Sequence, residues 1–368
     1  TLASDGTCTA NITNRSNKNL IVNGACLVAQ RGTSATTATG GYHTVDRIRT
    51  GMGGHDEVPT FAQADVASGT TPYQKGFRKC FKVTNGNQTS GAGSSDYIQI
   101  DYYVEAQDIA NSGWDVTNSS SNLTFSFWIK SSVSQFFTFA IRCKDGTEQV
   151  INFKTPVLSA DTWTKVTKTI PGNSNLTVNN DTGTGFQIMF FPFIGTTYST
   201  VGLAEDTWSS WASAKHAIPN TSTWWTTNDA TYEITGLQLE VGSVATDFEH
   251  RSYGQELALC QRYYQRIATG TGRALSENAT QYNGSTVFLS IPLPTTMRAA
   301  PSLSVSNDTG HFVKYANNGP VAFSTLGRDG VTTVDTLCVN ATASGTAGHA
   351  CMIRTDDASA YLAADSEL

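Results

Sequence analysis

The sequence predicts an all-β chain: an antiparallel sandwich, a short linking helix, and a second, smaller β-sandwich. Three observations predict it. Apolar residues alternate over short runs, turn residues separate those runs, and helical spacing is confined to one stretch after Ser252. Of the 368 residues, 39% are hydrophobic and 15% charged, against roughly 25% charged in ordinary soluble domains. Ser, Thr, Asn and 32 glycines fill the difference, which suits many turns and a neutral polar surface.

From Leu20 to about Phe248, strand follows strand. Ile98, Ile100, Tyr102 and Val104 form one alternating set. Leu123, Phe125, Phe127 and Ile129 form another, and Phe137, Phe139, Ile141 and Cys143 a third. The Lys144-Asp-Gly146 turn leads to Ile151 and Phe153, a hairpin signal. Val166 and Ile170 belong to a further strand. Phe186, Ile188 and Phe190 occupy one face of the next, and Met189, Phe191 and Phe193 the other. A strand apolar on both faces is expected in the middle of a packed sheet. Tyr232 and Ile234 share a face, whereas Leu237, Leu239 and Val241 fall on the opposite phase. One face can hold both sets only if an extra residue is inserted, and Gly236 is the natural place for that bulge.

Ser252 followed by Gln255 is a capping-box pattern. Tyr253, Leu257, Cys260, Tyr264 and Ile267 then recur at spacings of 4, 3, 4 and 3, a heptad-like seam. Gly270 offers a stop. The seam suits an oligomer interface, or a helix packed on its own domain, since two heptads are too few for a free-standing coiled coil. Beyond Gly270, Val287, Leu289, Ile291 and Leu293 alternate until Pro292 and Pro294 break the ladder, the sign of an edge or a strand end. Leu303 and Val305, Val334–Val339 and Ala350–Ile353 continue the pattern. A unit of about 100 residues with few large apolar groups has a modest core, which burial between chains would enlarge. The expected domains are residues 1–249, a linker helix over 250–269, and a C-terminal trimerisation or tip domain over 270–368.

The net charge of −6 and pI near 5.5 argue against a nucleic-acid footprint. No run of apolar residues is long enough to insert in a membrane. The chain opens at Thr1 without a basic n-region or apolar h-region, as expected of a start inside a longer protein or after processing. Cys8, Cys26, Cys80, Cys143, Cys260, Cys338 and Cys351 form no Cys-x-x-Cys pair and read as small hydrophobes of a reducing cytoplasm.

Between Glu205 and Asn228 lie Trp208, Trp211, Trp224 and Trp225, four of the seven tryptophans, with Lys215 and His216. Sugar C–H faces stack on flat rings, so this loop is a candidate glycan platform. Trp208 and Trp211 equally suit a short helix sealing the sandwich. Trp224 and Trp225 point opposite ways if extended, which leaves at most one of them for the core. His55-Asp56-Glu57 could look like a metal cluster, but adjacent side chains diverge in an extended loop, and a solvated loop is the better reading. No metal or cofactor is expected. His43, His250 and His349 have no nucleophile at a recognisable spacing, and no catalytic residue is assigned.

Gly236-Leu-Gln-Leu-Glu-Val-Gly-Ser-Val-Ala-Thr-Asp-Phe-Glu-His-Arg-Ser-Tyr-Gly-Gln-Glu-Leu-Ala-Leu-Cys-Gln-Arg-Tyr-Tyr264 resembles a segment of many phage virion proteins. In those it joins a jelly-roll, carbohydrate-binding-like domain to the C-terminal domain of a tail fibre or other surface appendage. Asn19–Gly32 resembles the first strand of the same phage domains, and Tyr42–Arg47 the segment that follows it. The ending Ala360–Leu368 is similar to those that close many phage fibres. The resemblance implies a noncatalytic tail or head fibre, trimeric, on the virion surface, assembled in the host cytoplasm. Its implied partners are copies of itself, other virion proteins and a host-surface glycan. A capsid decoration protein contacting only virion proteins is the first alternative, and a glycan-degrading tailspike-like enzyme the second. Glycan-degrading spikes usually use long β-helices with short repeats, and no such repeat occurs here.

Overall fold

The alternating runs fold as antiparallel strands. A computed structural model describes residues 17–317 and 319–368, so Cys8 lies outside the described residues. Two compact units divide the chain, Thr1–Ser252 and Tyr253–Leu368.

In chain order the first unit contains β1 (Ser34–Thr36), β2 (Gly41–Tyr42), β3 (Ile48–Gly53), β4 (Thr60–Asp65), β5 (Lys79–Thr84), β6 (Tyr97–Glu105) and β7 (Asn122–Ser131). It continues with β8 (Thr138–Cys143), β9 (Gln149–Lys154), β10 (Thr164–Pro171), β11 (Thr184–Ile194), β12 (Trp208–Ser210) and β13 (Thr231–Val241). One sheet has the order β1-β4-β5-β13-β7-β10 and the other β12-β9-β8-β11-β6-β3-β2. The chain crosses between sheets at β1–β2, β3–β4, β5–β6, β6–β7, β7–β8, β9–β10, β10–β11 and β12–β13, which makes the unit a jelly-roll sandwich.

The alternating sets meet in the middle. Phe127 of the first sheet lies 5.1 Å from Phe139 and 5.0 Å from Phe190 of the second, ring centre to ring centre. Strand β11 is central in its sheet and buried on both faces. Phe186, Ile188 and Phe190 enter the main core, while Met189 and Phe191 build a satellite cluster on the outer face. Phe193 leaves the expected phase, because a register shift after Phe190 returns it to the main core. At Gly236 the pairing of β13 with β7 slips between Thr235 and Gln238. The inserted residue puts Tyr232, Ile234, Leu237 and Leu239 in one core; Val241, at the strand end, is exposed.

Asn19–Gly32, expected as a first strand, contains no strand. Its positive-φ residues Asn23 and Cys26 break extended pairing. Side chains take the place of a ladder. Asn23 donates to the carbonyls of Val28 and Asp46 at 2.8 and 3.0 Å. Asn19 Oδ1 accepts from the Ile21 and Leu239 N–H groups, each at 3.0 Å.

Residues 242–251 fold back on the same unit as a strap. Glu240 accepts the Thr246 N–H at 2.8 Å and its hydroxyl at 2.6 Å. Gln238 accepts the Glu249 N–H at 2.8 Å, and Arg251 donates to the Asn19 carbonyl at 2.7 Å. Alternate polar residues of the resembling segment are therefore the strap's fastenings.

The second unit begins with a helix at Tyr253–Gln261. Strands β14 (Tyr264–Thr269), β15 (Ala274–Gln281), β16 (Thr286–Pro292), β17 (Ser302–Val305), β18 (Phe312–Ala316) and β19 (Gly319–Phe323) follow. Then come β20 (Gly327–Arg328), β21 (Thr336–Thr342), β22 (Ala350–Thr355) and β23 (Tyr361–Asp365). A sheet ordered β14-β23-β17 and another ordered β19-β18-β22-β15-β16-β21-β20 share a core of mostly Leu, Val, Ile and Ala. Pro292 ends a strand, as expected, but β16 lies inside its sheet rather than at an edge.

The helix is shorter than the seam requires. Tyr264 and Ile267 lie on β14, where Tyr264 pairs with Asp365 of β23. Tyr264 and Cys260 are buried within the unit, Leu257 is half-buried and Tyr253 exposed. The 4-3-4-3 spacing therefore does not mark one continuous helical stripe: strand pairing with the C-terminal segment overrides it.

Candidate functional site

Three of the four tryptophans singled out are structural. Trp208, 9% exposed, sits on β12 rather than a helix, its indole N–H donating to the Pro171 carbonyl at 2.8 Å. Trp224 and Trp225 are wholly buried. The extended reading allowed only one of them in the core, but Thr223–Thr226 is a helical turn, which brings both rings inward. Their indole N–H groups donate to the carbonyls of Thr231 (3.0 Å) and Gly91 (2.7 Å). Neither ring is open to a sugar. At His55-Asp56-Glu57, Asp56 accepts the Ser90 N–H and Glu57 the Asn87 N–H, both at 2.6 Å, which binds two loops together.

Trp211 differs. It is half-buried and packs against the satellite cluster on the outer face of the second sheet. The Arg142 guanidinium carbon lies 3.5 Å from its ring centre. A chain of rings runs on from Trp211: His216 at 5.4 Å, Tyr198 at 5.8 Å from His216, and Tyr97 at 5.3 Å from Tyr198. Burial, and secondarily the Arg142 charge, push the His216 pKa down to about 4, so the ring is neutral near pH 7. Arg142 is itself held by Glu148, which also takes Lys144 at 2.9 Å.

Tyr198 and His216 edge a groove that runs beside Tyr97 and Gln99 of β6. The strand's core-facing residues are Ile98, Ile100, Tyr102 and Val104, so alternation places Tyr97, Gln99, Asp101 and Tyr103 on the outer face. Asp101 is the hub. Gln99 and Gln187 donate to one carboxylate oxygen at 2.6 and 2.9 Å, and Arg49 reaches the other at 3.3 Å. Burial raises the Asp101 pKa despite these donors. Burial, then the Asp101 charge, push the Tyr103 hydroxyl up to about 12. Each glutamine spends an N–H on the carboxylate and keeps its carbonyl oxygen as an acceptor. Beside them a pocket of ≈ 110 Å³ is lined by Tyr97, Gln99, Ile194, Tyr198 and His216, room for about three or four waters.

Glycine shapes this floor. A Cβ on Gly53 of β3 would come within 2.8 Å of the Tyr97 ring, and one on Gly51 within 3.8 Å. The ring lies against the glycine stripe. Sequence reasoning missed the site although its signal was present. Tyr97-x-Gln99-x-Asp101-x-Tyr103 is a polar and aromatic set in perfect antiphase to the apolar set already recognised.

No family model and no curated protein matches the chain. Among solved structures, it resembles the enzymatically active domain of tailspike protein 4 of bacteriophage CBA120, with 11% identity and a TM-score of 0.30. That match covers 61% of this chain and 22% of the tailspike chain. A sugar-binding protein, so described with reservation, from Bacteroides thetaiotaomicron matches with 10% identity and a TM-score of 0.32, over 61% of this chain and all (100%) of the other. The N-terminal cellulose-binding domain of a Cellulomonas fimi β-1,4-glucanase matches with 10% identity and a TM-score of 0.27, over 54% of this chain and 90% of that one.

Proposed function

We propose that the first unit is a noncatalytic carbohydrate-recognition domain whose ligand lies along β6, over Tyr97, Gln99, Asp101 and Tyr103. One observation carries this reading: a single sheet face combines half-buried tyrosine rings, amide groups and a guanidinium fixed on a buried carboxylate. Sugars need apolar stacking for their C–H faces and paired donors and acceptors for their hydroxyls. The glutamines and Arg49 are fixed on Asp101 before any ligand arrives, which limits the ordering cost of binding. Of the original tryptophans, Trp211 alone belongs to this site, through its Arg142 stack. Asp101 is tied up by three donors and buried, which suits a positioning role better than that of a catalytic carboxylate; this supports a binder.

The wider role is a bacteriophage surface fibre, trimeric through Tyr253–Leu368, at the virion surface, with other virion proteins and a host-surface glycan as partners. Its support is the resembling segment, whose polar residues fasten the strap onto the jelly roll. A glycan array tests recognition, with Tyr97→Ala and Arg49→Lys expected to lose signal while circular dichroism shows the native fold retained. A reducing-end assay on the bound glycans tests the noncatalytic reading, which sugar release would overturn. Light scattering tests the trimer, which a monomer mass would end. Antibody-labelled micrographs of virions separate a fibre from a capsid decoration protein.

A further inference from the structure

We propose a second carbohydrate site in the first unit, on the outer face of the opposite sheet, beneath the strap. A cleft of ≈ 500 Å³ opens there between β7, β10, β13 and the strap. Its floor is Trp128, which alternation turns outward because Phe127 and Ile129 face the core. Gly236, without a side chain, lets the Phe77 ring close in beside Trp128. Phe77 and Phe248 form one wall, edge to face at 4.9 Å, and His250 closes against both at 5.1 and 4.9 Å. The His250 imidazole is fixed by a 2.8 Å hydrogen bond with the Lys75 carbonyl.

The rim supplies the polar half of the chemistry. Lys165 is the register partner of Trp128 and stands exposed beside it. Asp247 projects from the strap and is also exposed. An indole face flanked by one ammonium and one carboxylate matches a sugar ring, which offers an apolar face and a rim of hydroxyls. The strap's buried fastenings through Gln238, Glu240 and Glu249 hold the cleft open as a formed site rather than one assembled on binding. The same ligand chemistry is invoked as for the β6 groove, but no residue is shared with it. Two sites on opposite sheets would let one domain bridge two chains of a surface polysaccharide, with the gain in avidity that follows.

The test uses the full chain, an array of bacterial and plant oligosaccharides, and then calorimetric titration with the strongest array hit. Two ligands per chain are expected. Tyr97→Ala should remove the groove event alone, and Trp128→Ala should weaken the other roughly tenfold or more. Lys165→Ala, at an exposed position, should weaken the same event several-fold with an unchanged melting temperature, which separates binding from folding. One ligand per chain, abolished by Tyr97→Ala and indifferent to Trp128→Ala and Lys165→Ala, overturns the second site and leaves the groove standing. One ligand lost with Trp128→Ala and Lys165→Ala but retained in Tyr97→Ala does the reverse. A wild-type chain that binds nothing on the array overturns both.

Discussion

A Cβ atom built on Gly236 would lie 2.7 Å from Cζ of Phe77, and Gly236 holds a φ of +66°. The bulge that lets β13 bury two phases of apolar residues thus depends on the absence of a side chain twice over, for conformation and for space. Gly236→Ala is expected to cost about 2–4 kcal/mol, combining a left-handed backbone with a displaced aromatic ring. Denaturant unfolding of the first unit measures it, and a cost under about 1 kcal/mol would show that Phe77 moves aside freely.

Phe127 and Ile188 face each other's sheets in the main core, both fully buried. Phe127→Ala or Ile188→Ala should each destabilise by roughly 2–5 kcal/mol, through lost burial and the cavity left behind. Thermal unfolding with matched circular dichroism checks the value and confirms that the native fold persists.

The tryptophans should separate into two groups. Trp224→Ala and Trp225→Ala each leave a large cavity, as well as a backbone carbonyl without its indole donor, and should cost about 3–5 kcal/mol. Trp211→Ala should lower glycan affinity more than it lowers the melting temperature, because its ring is partly exposed and lies between Arg142 and His216 at the groove edge. Equal losses of stability across all three would mean that Trp211 is only a cover for the sheet.

Most of the jelly roll was legible because strand alternation is a direct imprint of burial. The four residues Ile98 to Val104 need no tertiary information to be read as one face. What escaped depended on contacts distant in sequence. Asn19–Gly32 looks like a strand, yet its bonding is made by asparagine side chains to residues such as Leu239. The seam from Tyr253 to Ile267 has true helical spacing, yet Tyr264 pairs with Asp365 at the far end of the chain. The tryptophan count drew attention to rings that the core needed for volume, whereas the groove residues were ordinary glutamines, tyrosines and an aspartate on an alternating strand.

His216 gives the first unit a pH dependence of predictable sign. Its folded-state pKa is about 4, below the ordinary 6.5, because burial and then the Arg142 charge oppose protonation. Between those values the unfolded chain binds a proton that the folded chain refuses, so stability is lost as pH falls through 6.5, and the loss levels off below about 4. Above 6.5 the contribution is constant. The buried Asp101 acts in the opposite direction, since its raised pKa favours the folded state as the carboxylate protonates. Comparison of wild type with His216→Gln cancels that term, because the variant retains Asp101 and cannot titrate at the loop. Urea unfolding at pH about 7, about 5.5 and about 4 should show the wild type losing stability relative to the variant in the lower half of the range. Parallel curves for the two proteins would mean that the loop opens enough to hydrate the imidazole, and that His216 is not held between Tyr198, Trp211 and Arg142 in solution.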